Sequence, residues 1–224
     1  MLHVVGICME ATVWFLTSNP GKLEEAQLHF GPLGYTIEQL VVPEGAIVEP
    51  QSDSLQDIAI SKLEQAKAHL PSSDAMVMVE DSGLFINALD GFPGVYSSYV
   101  HETIGCQGIL RLLTHLESED PVQHKKLRAA SYHAVAALWD GKSMLVGLGE
   151  CPGSLASDIH EGHGFGYDPV FVPLDLDDFG QPLPAGELGP TSTHGMAFGG
   201  VEIDVKHRFS HRRRALERLL EQLP

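Results

Sequence analysis

The chain has 224 residues, 43% hydrophobic and 20% charged, with 14 Lys and Arg against 30 Asp and Glu for a formal net charge of -16. That length suits one large domain or two small lobes around a cleft. The acidic balance excludes a sequence-independent nucleic-acid binder, which needs a basic footprint. No apolar run approaches the roughly 20 residues that span a bilayer, so no membrane partner is expected.

Cys8, Cys106 and Cys151 have neither metal nor redox spacing. An odd, scattered set fits a reducing cytoplasm better than a secreted scaffold. Residues 1–12 read as an N-terminal extension without the basic n-region of a signal peptide, Met9 being an alternative start, and 13–224 as one domain.

In chain order, residues 13–17 predict a short buried strand, and Ser18-Asn-Pro-Gly21 the turn that ends it. A helix follows from about Lys22, with Leu23, Ala26 and Phe30 on one face, then a second strand over 35–42. Ser54, with Asp57 three residues on, caps a helix running to about Leu70. The apolar run of Met76, Val77, Met78 and Val79 predicts a strand buried on both faces, stopping at Glu80-Asp81-Ser82-Gly83. Gly91-Phe-Pro-Gly94 reads as a turn, and Ile109, Leu112, Leu113 and Leu116 mark an amphipathic helix. Two strands over 129–139 and 143–149 flank the hairpin signal Asp140-Gly141. Residues 174–200 have no clear period, and a last helix from near Ser210 turns Ala215, Leu216, Leu219 and Leu220 inward. The class is α/β with a sheet of mixed direction.

Four features could carry chemistry, and each has an ordinary structural reading beside it. Thr17, Asn19 and Lys22 stand where a strand hands over to a helix, a junction that aims backbone N–H groups at anions. It is not a Walker A loop, because Leu16 replaces the first Gly. A capped turn explains it equally well. Glu80 and Asp81 end a buried strand, where open α/β sheets place ligands and where carboxylates hold Mg²⁺; the alternative is a solvated strand end. Lys62 falls on the apolar stripe of Leu55, Ile58, Ala59 and Ala66, costly unless it is paired or snorkels to the edge. Six of the 14 Lys and Arg residues lie between Lys206 and Arg218, and His211, Arg212, Arg213 and Arg214 fall in the first turn of the last helix, where positive charge opposes the dipole. A solvated face accounts for Arg213, Arg214 and Arg218, less well for His211 and Arg212. His160 and His163 are weaker candidates as metal ligands, and Phe165 and Tyr167 are either core or a stacking platform for a base.

Taken together, five segments resemble the inosine triphosphate pyrophosphatase family. They are Thr17-x-Asn19-x-x-Lys22, Glu80-Asp81-Ser82-Gly83-Leu84, Gly91-Phe-Pro-Gly94, Gly164-Phe-Gly-Tyr-Asp-Pro169 with Phe171, and Lys206-x-x-x-Ser210-His-Arg212. The resemblance implies an elongated mixed sheet in two lobes around a central nucleotide cleft, a homodimer, Mg²⁺ as cofactor, and a nucleoside triphosphate substrate. It implies hydrolysis of ITP, dITP and XTP to monophosphate and pyrophosphate. Thr17, Asn19 and Lys22 would grip the triphosphate, with Ser82 also on the substrate. Glu49 would bind metal, Lys62 would serve catalysis, and Asp81 would be the general base or a metal ligand, supported by Glu80. Phe165 would stack on the base beside Tyr167 and Asp168, and Lys206, His211 and Arg212 would reach base and phosphates. Two departures from the pattern stand out. Pro50 follows Glu49, and Gly199 and Gly200 replace an Ala-Glu pair that many relatives carry.

The chemistry agrees with these roles: in-line attack of water on the α-phosphorus needs cations on the leaving pyrophosphate and a carboxylate on the water. Donors from His211 or Arg212 would accept a purine 6-oxygen and leave adenine's amino group badly paired. A pyrophosphatase preferring modified pyrimidines, a nucleotide-binding module without turnover, and a structural protein with solvated charges are the rival readings.

Overall fold

The computed structural model describes residues 11–160, 162 and 164–223, so most of the expected N-terminal extension lies outside the described residues. Among these, seven strands form one mixed sheet. They are β1 (Ala11–Phe15), β2 (Tyr35–Gln39), β3 (Met76–Ile86), β4 (Pro93–Gly94), β5 (Ala129–Trp139), β6 (Met144–Leu155) and β7 (Phe171–Pro173). Their order is β2-β1-β3-β5-β6-β7, with β4 paired to β3. β1 runs parallel to β2 and β3, and the other pairs are antiparallel.

The helices are α1 (Pro20–Phe30), α2 (Leu55–Ala66), α3 (Ser97–Thr103), α4 (Gly105–Leu112), α5 (Pro121–Leu127), α6 (Ile203–Phe209) and α7 (His211–Leu220). Their starts follow from capping chemistry. The Asn19 side chain accepts from Gly21 N at 2.9 Å ahead of α1, and Ser54 Oγ accepts from Asp57 N at 3.2 Å ahead of α2. The Asp140 carboxylate closes the β5–β6 hairpin by accepting from Lys142 N and Ser143 N, with Gly141 at a φ of 93°.

The sheet sorts its side chains by alternation. Val13, Phe15, Met78 and Ala136 face α1 and α7, burying Phe30 and Leu216. Val77, Val79 and Ala137 face α2, burying Ala59 and Leu63. Beyond them, Leu84, Ile86 and Ala130 belong to a third cluster with Ile109, Phe171 and Phe209. Each fully buried Phe or Leu in these clusters contributes roughly 2 kcal/mol. β3 and β5 are long enough to pass through all three, and the cleft opens where one set gives way to the next.

Three expectations need correction. The third strand does not stop at Glu80: β3 continues to Ile86, because β5 pairs with it from Val77 to Ile86. What ends there is β1, whose register with β3 covers only Met76 to Met78. Glu80 and Asp81 therefore lie mid-strand, on a stretch uncovered on one side. Leu112 points outward at 44% exposure and Leu110 takes the buried place, because α4 begins at Gly105 and ends at Leu112. The strand expected over 143–149 runs on to Leu155, where β7 pairs with its far end.

Glycines set the seat of α7. A Cβ on Gly147 would collide with the carbonyl oxygen of Ala215, and one on Gly149 with that of His211. β6 thus lets the helix backbone lie directly on the sheet, which fixes where residues 211 and 212 emerge.

Candidate active site

The cleft has a volume of about 530 Å³ and opens between the end of β1, the middle of β3 and the start of α7. It brings together every site residue that the family resemblance implies, from Thr17 and Glu49 to His211 and Arg212.

At one end lies the carboxylate–lysine group. Lys62, on the apolar face of α2, donates to Asp81 Oδ1 at 2.8 Å and to Glu49 Oε1 at 2.7 Å. Burial alone would lower the Lys62 pKa, but Asp81 and Glu49 raise it, so the ammonium stays charged. Burial raises the Asp81 carboxyl above its ordinary value, with Lys62 pulling the other way. A raised carboxylate is a better base, and the 2.8 Å ion pair keeps it available in ionised form. Asp81 Oδ2 is buried and has no hydrogen-bond partner among the described residues. An orphaned anionic oxygen beside a second carboxylate suits a hard divalent cation, which needs only one or two carboxylates when phosphates complete its shell.

Glu80, one residue back on β3, faces the opposite side of the strand. Lys22 Nζ lies 2.5 Å from its Oε2 and donates to its carbonyl at 3.0 Å, while Arg212 Nε lies 3.2 Å from Oε1. Each Glu80 oxygen thus faces its own cation. Burial would raise the carboxyl; Arg212 and Lys22 hold it at about 2. Enclosed in this way, Glu80 seats Lys22 and Arg212 and has no open face for a reacting group. Arg212 also pairs with Glu25 Oε2 at 2.7 Å.

At the other end, Asp168 Oδ2 accepts from Phe165 N at 2.9 Å and pairs with Lys206 Nζ at 2.5 Å. Phe165 is 53% exposed, with Lys206 Nζ 4.7 Å from its ring centre and Arg212 Cζ 5.9 Å. Tyr167 is buried, and its hydroxyl donates to Ser97 O at 3.0 Å, so it supports the loop from below. His211 stacks on Tyr132. His160 Nδ1 accepts from Ala197 N at 3.2 Å, a structural use of that ring. His163 lies outside the described residues. Among those described, no group of three or more His, Cys, Asp or Glu is arranged to hold a metal. The three later arginines are spent on structure: Arg213 on Glu217 at 2.6 Å, Arg214 on Glu150 O at 2.5 Å, Arg218 on Leu148 O at 2.6 Å.

Sequence reasoning missed Glu25, Ser97 and Tyr132, all of which line the cleft. Glu25 stands one helical step after Lys22, on the same face of α1, and that spacing is a usable signal. Ser97 and Tyr132 carry none, because only the packing of β3, β5 and α7 brings them in.

Fold and site define an α/β protein with an anion-binding junction, a carboxylate pair and an aromatic–cationic pocket in one cleft. This chain belongs to the Ham1 family, whose model matches residues 13–222. It is 39% identical to a dITP/XTP pyrophosphatase of Thermococcus kodakarensis over 202 residues, 90% of this chain and 91% of that protein. A second dITP/XTP pyrophosphatase, from Pyrococcus horikoshii, is 35% identical over 212 residues, 94% of this chain and 96% of the relative. The fold matches a HAM1 protein structure from Coxiella burnetii at a TM-score of 0.71 and 26% identity, covering 93% and 96% of the two chains.

Proposed function

We propose that this chain is a nucleoside triphosphate pyrophosphatase that hydrolyses deaminated purine nucleoside triphosphates, such as ITP, dITP and XTP, to monophosphate and pyrophosphate. The observation that carries the reading is the Glu49–Lys62–Asp81 group, 2.7 and 2.8 Å across its two ion pairs, in one cleft with the Phe165–Lys206 pocket.

Lys62 occupies Asp81 Oδ1 and leaves Oδ2 to act. Asp81 takes the proton of a water attacking the α-phosphorus, the bond to the bridging oxygen breaks, and pyrophosphate leaves. Thr17, Asn19 and Lys22 hold the phosphates at the start of α1, where N–H groups and dipole favour anions. Glu49 would hold Mg²⁺, which when bound supplies neutralisation of phosphate charge; Asp81 Oδ2 serves either that ion or the water, not both at once. Phe165 stacks on the purine, and donors from the start of α7 meet its 6-oxygen.

A homodimer is the proposed assembly, supported by Tyr96, Tyr99 and Ile104, exposed together along α3 and its ends. Cytoplasmic location is likewise proposed, supported by the free thiols Cys106 and Cys151; separately, no helix among the described residues is long and apolar enough to cross a membrane. Pyrophosphate release from ITP, dITP, XTP, GTP, ATP and dUTP, with Mg²⁺ and with EDTA, tests the function. Metal-dependent release confined mainly to the first three is expected. Preference for dUTP would overturn the base assignment, and no release from any would overturn the hydrolase. Light scattering on a sizing column tests the dimer.

A further inference from the structure

We propose that Tyr132 is a specificity-determining positioning residue, whose ring clamps the His211 imidazole so that its Nε2 edge donates to the 6-oxygen of the purine. This rests on the hydrolase reading above.

The two rings are nearly parallel, 7° apart with centroids at 4.8 Å. Phe198 lies nearly parallel to Tyr132 at 6.5 Å and 12°, and Phe171 packs on it at 4.5 Å. Tyr132 sits on β5, paired to Leu84 on one side and Cys151 on the other, so its own position is rigid. His211 is therefore held twice: its backbone by β6 at Gly149, and its ring by Tyr132. A side chain so fixed meets a ligand without first losing rotamer freedom.

The orientation of the ring decides which nitrogen acts. His211 lines the cleft, yet its Nδ1 is buried and has no partner among the described residues. The Nε2 edge is left to face the cavity. A neutral imidazole carries one proton, and the proposal places it on Nε2, the nitrogen that can reach a ligand, with Nδ1 as the unpartnered acceptor. Burial, then the charge of Arg212, push the His211 pKa well below its usual value, with Lys206 and Lys22 acting the same way and Glu80 opposing. The ring then stays a neutral donor across the physiological range. A fixed donor accepts a 6-oxo purine and meets the amino group of adenine donor to donor.

The test compares Tyr132→Leu, which removes the ring, with Tyr132→Phe, which keeps it. In the leucine variant the ratio of kcat/KM for ITP over ATP should fall about tenfold or more, mainly through a higher KM for ITP, with kcat within about threefold. The phenylalanine variant should stay within about twofold of the unmutated protein. An unchanged ratio in Tyr132→Leu, or an equal loss in Tyr132→Phe, would overturn the proposal. Absence of turnover in the unmutated protein would instead overturn the hydrolase reading. If Tyr132→Leu does not fold, the nitrogen-15 spectrum of the unmutated protein decides. His211, assigned by its loss in His211→Gln, should show the uncharged Nε2–H form at pH 6; a charged ring or an Nδ1–H form sinks the idea.

Discussion

The Lys62 ammonium lies 2.8 Å from Asp81 Oδ1, an ion pair reaching from the apolar face of α2 to the middle of β3. Because Lys62 also holds Glu49 at 2.7 Å, one cation sets the spacing of both carboxylates. Removing the charge of Asp81 would leave the lysine with Glu49 as its partner.

Asp81→Asn should accordingly fold and melt near the unmutated protein, while pyrophosphate release falls at least about a hundredfold, the low end for a general base. Steady-state assays beside thermal melts check both halves. Near-normal turnover would remove Asp81 from the mechanism.

Glu80 predicts an acid-sensitive stability. Its carboxyl sits at about 2 in the fold against 4.5 as the free group, so the charged form stabilises the fold. That contribution is complete above about pH 4.5 and disappears as pH falls through about 2. At about 1.4 kcal/mol per unit it amounts to roughly 3 kcal/mol. Urea unfolding at a series of pH values should show a steeper acid loss in the unmutated protein than in Glu80→Gln. The glutamine variant should also be less stable at pH 7, because Lys22 and Arg212 lose their shared counter-charge.

The glycines under α7 predict a graded pair of variants. Gly147→Ala and Gly149→Ala both press on the helix backbone and should each cost about 1–3 kcal/mol or more. Gly149→Ala displaces His211 directly, so its kcat/KM should fall further than that of Gly147→Ala at matched stability. Equal kinetic effects would mean that α7 moves as a rigid rod and the local contact is unimportant.

The thiols should be quiet. Burial pushes Cys151 up to about 12 and raises Cys106 as well, so little reactive thiolate forms near neutrality. Iodoacetamide at pH 8 should leave Cys151 unmodified until denaturant is added, as peptide mass mapping would show. Rapid labelling in the native state would indicate that β6 opens.

Much of this molecule was legible as sequence because its signals are local. Asn19 and Ser54 cap their helices by a hydrogen bond two or three residues on, Asp140-Gly141 closes a hairpin, and both depend on backbone geometry that a short segment already determines. The family resemblance is local in the same sense, five short motifs in order, which is why the site residues could be named before their distances were known. The end of the third strand was not legible. An apolar run can show that a strand is buried, but whether it continues through Glu80 and Asp81 depends on β5 pairing with it from Val77 to Ile86 and on Lys22, Arg212 and Lys62 offering charge from helices elsewhere in the chain. Tyr132 lay beyond reach for the same reason. In sequence it is one alternating residue of a strand; only the seating of α7 on Gly149 places the His211 ring against it, because contact between residues 79 positions apart is decided by packing and by nothing written nearby.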